Sequence, residues 1–149
     1  MMRGKLWALV LNATQARILR GLTRGGSTSE PELLLQSEHR DLRQIMADKP
    51  GRSFESVGSR RSAMEYASDP VRDAERAFAA EVVARLERHR EAGDFTRLAI
   101  LAAPEMLGLI RPELTEGLRA IVVHEEPKNL LHLSARDLEL AVAQHVFGT

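Results

Sequence analysis

The sequence contains no cysteine. That excludes disulfide bridges, thiolate nucleophiles and cysteine-ligated zinc, and it suits a reducing, cytoplasmic setting. Aromatic residues are scarce, with one Trp, one Tyr and four Phe in 149 residues, so no ladder of rings is present for stacking on bases. The formal net charge is zero, and a nucleic-acid partner gains support only from local basic patches. No apolar run approaches the roughly 20 residues of a membrane span. The longest near the N-terminus, Leu6 to Leu11, is shorter than the roughly 7–15 residues of a secretory h-region. A soluble, cytoplasmic protein is therefore expected. Walker A, GxGxxG, GxSxG and HExxH motifs are all missing.

What is present reads as one domain over residues 1–149, a length that supports a full core. Leu6–Leu11 is continuously apolar, as in a strand covered on both faces. "NAT" at 12–14 is a turn, and Gln15–Gly21 mixes Ala16, Ile18 and Leu19 with Arg17 and Arg20, as in a more exposed second strand. The glycine-rich "TRGGSTSEP" leads to a third strand at Leu33–Gln36, which completes an antiparallel meander. From Val71 the period changes: Val71, Ala74, Phe78, Val82 and Leu86 mark an amphipathic helix opened by Asp69-Pro70 and closed at Gly93. Leu98–Ala103 is a second buried strand. "PEMLGLIRPELTEGL" holds one or two short helices, and Ile121–Val123 reads as a third buried strand. Ser134, with Asp137 three residues on, opens a last helix bearing Leu138, Val142, His145 and Val146.

The order is βββαβαβα. The most apolar strands, the first and the last two, are expected in the middle of the sheet. With right-handed crossovers the simplest solution is an α/β fold: a ribonuclease-H-like, five-stranded mixed sheet in the order 3-2-1-4-5, with helices on both faces. The expected core includes Leu9, Phe78, Val82, Leu86, Ile100 and Val122.

Chemistry is hard to find in this pattern. A nuclease on such a sheet needs acids converging on two divalent metals. The first strand ends in neutral Asn12 and the fourth in Ala102-Ala103-Pro104, so no metal and no other cofactor is expected. The five histidines, His39, His89, His124, His132 and His145, never recur at i, i+4. His132 and Lys128, in the loop after the last strand, and Asn12 are secondary candidates, because α/β sheets present ligand-binding groups at such strand ends.

The informative segment is the long loop at about 48–70, "DKPGRSFESVGSRRSAMEYASDP". A structureless loop longer than about 12–15 residues is uncommon in a small domain and is often functional. Its cations Lys49, Arg52, Arg60 and Arg61, its hydroxyls at Ser53 and Ser59, and Gly58 suit contact with phosphate. Its apolar residues are too scattered to offset an ordering entropy of about 1–2 kcal/mol per residue, so the segment is expected to order on an anionic partner.

Four stretches, "VLNATQARIL", "HRDLRQIMADKPGRSFESVGSRRSAMEYASDPVRDAERAFAAEVVARLE", "LAILAAPEMLGLIRPEL" and "EEPKNLLHLSARDLE", resemble the bacterial host-attachment protein family. Members are described as required for attachment to host cells, which implies no particular activity. The family is in turn similar to the middle domain of archaeal and eukaryotic peptide-chain release factors, which implies the same ribonuclease-H-like sheet. In release factors the loop before the first long helix carries a Gly-Gly-Gln tripeptide. Here Gly58-Ser59-Arg60 stands in that loop. The glutamine is missing, and ester hydrolysis is not carried over. The resemblance implies a non-enzymatic module facing RNA, tRNA or the ribosome. The alternatives are a protein-interaction factor acting indirectly in attachment, which would take a protein partner, and a residual hydrolase.

Overall fold

A computed structural model of the chain describes residues 5–38 and 69–148. Five strands form one mixed sheet: β1 (Leu6–Leu11), β2 (Gln15–Arg20), β3 (Glu30–Gln36), β4 (Arg97–Ala102) and β5 (Val122–Pro127). Their order is β3-β2-β1-β4-β5, as the sequence pattern predicts. β1 pairs antiparallel with β2, placing Leu9 opposite Ile18, and parallel with β4, placing Leu9 opposite Ile100. The helices are α1 (Pro70–Glu91), α2 (Pro104–Ile110), α3 (Glu116–Ala120) and α4 (Ala135–Phe147), with a 3₁₀ turn at Arg111–Glu113.

The unbroken apolar runs of β1 and β4 follow from helices on both faces of the sheet. One face of β1, β2 and β4 presents Trp7, Leu9, Leu11, Ile18 and Ile100 to Phe78, Val82 and Leu86 of α1 and Met106 of α2. The opposite face presents Ala8, Val10, Leu19, Ala99 and Leu101 to Leu138 and Val142 of α4. α1 begins where expected: Oδ1 of Asp69 accepts hydrogen bonds from the amides of Val71 and Arg72, both at 3.2 Å, and Pro70 fills the first turn. It ends at Gly93, whose φ of 82° is in the left-handed region.

Two strands depart from the sequence reading. β5 is not central: among the described residues it is the last strand of the sheet, and its residues alternate between half-buried and exposed. Val122 is only half-buried, and Val123 is 52% exposed beside a register shift between β4 and β5. Three apolar residues in a row are too few to distinguish an edge strand from a central one. β2 shows the reverse. Its two arginines suggested exposure, yet it lies between β1 and β3, and Ala16 to Leu19 are all buried, Arg17 included. The exposed edge on that side is β3, which is longer than the apolar triplet implies. It tolerates Pro31, as an edge strand can, and leaves Leu34 56% exposed. Leu9, Phe78, Val82, Leu86 and Ile100 are in the core as expected.

Candidate functional site

β1, β4 and β5 run parallel, so their carboxyl ends share one edge of the sheet, the usual location for ligands in open α/β sheets. Beyond that edge lies a cavity of about 280 Å³, bounded by Ala13 after β1, by Asp69, Arg72 and Glu75 of the α1 N-terminus, and by Glu105 and Met106 of α2. Three carboxylates face one guanidinium around it, a balance that disfavours anions. Among the described residues, no group of three or more His, Asp or Glu side chains is arranged to hold a metal ion.

The described ends of the chain on either side of 39–68 both lie at this edge. The Ser37 amide donates to the Thr14 carbonyl at 2.8 Å, next to Ala13, and Asp69 bounds the same cavity as Ala13. Of the sequence candidates, Lys49, Arg52, Ser53, Gly58, Ser59, Arg60 and Arg61 lie outside the described residues, as does His39.

Asn12 is occupied by the β1–β2 turn. Its Oδ1 accepts from the amides of Thr14 and Gln15, both at 2.9 Å, closing an Asx turn. Lys128 and His132 are exposed, and no hydrogen bond or ion pair joins them. The loop that carries them serves the core instead. Leu130 is buried, and Leu131 and Leu133 pack against the α4 face of the sheet.

Sequence reasoning missed how that loop is fixed. Arg17, 9% exposed, extends from β2 beneath it. Its Nε and Nη2 grip the Glu32 carboxylate of β3 at 3.0 Å each, and its Nη1 donates to the carbonyls of Leu131 and Leu133 at 3.2 and 2.7 Å. A planar fork with donors on both sides fits this double duty, and a lysine would not replace it. The only sequence signal was the place of Arg17 between the apolar residues Ala16 and Ile18.

Three of the histidines form carboxylate pairs that the sequence leaves invisible. His124 of β5 and His145 of α4 hold opposite oxygens of Glu126, at 2.8 and 3.0 Å. The His124 hydrogen bond, aided by the charge of His145, keeps the Glu126 carboxyl below its ordinary range. His89 pairs with Asp94 at 2.7 Å and lies beside the Trp7 ring, with centroids 5.0 Å apart. Arg85 Nε donates to its other ring nitrogen at 3.3 Å, so both nitrogens are engaged in fixing the end of α1.

A known protein of similar sequence is the "Uncharacterized protein RP470" of Rickettsia prowazekii (strain Madrid E), 39% identical over 66 residues. That match covers 43% of this chain and 44% of the relative, so less than half of each protein is aligned. A family model described as "Protein required for attachment to host cells" matches residues 7–142, from the second residue of β1 to the middle of α4. With nearly every described element inside that match, the chain belongs to the family of proteins required for attachment to host cells.

Proposed function

We propose that this protein is a non-enzymatic binding module of release-factor-like descent, which contacts RNA or the ribosome through the basic stretch Lys49–Arg61. The observation that carries the reading is where that stretch is tethered. Ser37 and Asp69, flanking it, both lie at the carboxyl edge of β1, where α/β folds present ligand-binding loops. The cavity at that edge is itself acidic, so the phosphate-binding charge must come from Lys49, Arg52, Arg60 and Arg61. Ser53, Ser59 and Gly58 add hydroxyls and close backbone approach. The five-stranded order agrees with the sheet that the release-factor resemblance implies.

The test is co-sedimentation with ribosomes, and with bulk tRNA, at two salt concentrations. Binding should weaken as salt rises, because phosphate contacts release counterions. Replacing Arg52, Arg60 and Arg61 with Ala should weaken binding and flatten the salt dependence by a slope of about 1 per lost contact. Folding stability should stay within about 0.5 kcal/mol. If the native protein binds no RNA, or if the triple variant folds and binds as before, the RNA-facing reading fails and a protein partner takes its place.

A further inference from the structure

We draw no further inference here: the strongest candidate, the apolar surface patch at Leu34 of β3, the outermost strand on its side of the sheet among the described residues, leaves Leu34 56% exposed, but nothing in the structure shows what covers it.

Discussion

Arg17 is the most exacting test of how the α4 face is held together. Replacing it with Ala removes a guanidinium that donates to Glu32 and to two main-chain carbonyls. Breaking one partner of a buried ion pair costs about 3–5 kcal/mol. Here the Glu32 side chain is 28% exposed and can rehydrate, which lowers that figure. The Leu131 and Leu133 carbonyls lose their donor beneath a loop that packs on the core, at about 1–3 kcal/mol for each one left buried and unpaired. Some relaxation of the loop would admit water. The net expectation is a loss of about 2–4 kcal/mol for Arg17→Ala, read as a lower urea midpoint at unchanged m-value. Arg17→Met restores the aliphatic stem but no donor, so it should recover only a small part of the loss. Glu32→Gln should cost less than Arg17→Ala, and the double variant should show a coupling of about 0.5–3 kcal/mol, as expected for groups in direct contact. An Arg17→Ala variant within about 0.5 kcal/mol of the native protein would refute the argument, since it would mean that water replaces all the contacts at no cost.

Phe78 is 1% exposed at the centre of the α1 interface, and Phe78→Ala should cost about 3–5 kcal/mol by chemical denaturation; a cost below about 1 kcal/mol would show that the site collapses around the gap. Glu87 gives a pH test. Hydrogen bonds from Arg90 and Thr115 lower its pKa from 4.5 to about 2, so the folded state binds its proton more weakly than the unfolded chain does. Its contribution is fully present above pH 4.5 and is lost as the pH falls from about 4.5 to about 2. Thermal melting of the native protein should therefore decline more steeply across that window than melting of Glu87→Gln, and parallel declines would remove Glu87 from the acid response.

The sequence alone determined the elements whose physics is local. Continuous apolar runs marked β1 and β4 because a strand covered on both faces has no polar side. The spacing of Ala74, Phe78, Val82 and Leu86 marked α1, and Asp69-Pro70 marked its start, because helix periodicity and capping depend only on near neighbours. The strand order followed too, since short turns force the meander and crossover handedness prunes the remainder. Tertiary structure decided which face and which edge each strand occupies. β5 is half-exposed because it is last in the sheet. β2 is buried because β1 and β3 flank it, although its arginines suggested otherwise. It also decided the pairings that cross long stretches of chain, Arg17 with Leu131 and Leu133, Arg24 with Phe147, and His145 with Glu126. No period or spacing records such contacts. They exist because packing helices and loops against the sheet brings together side chains that lie far apart in the sequence.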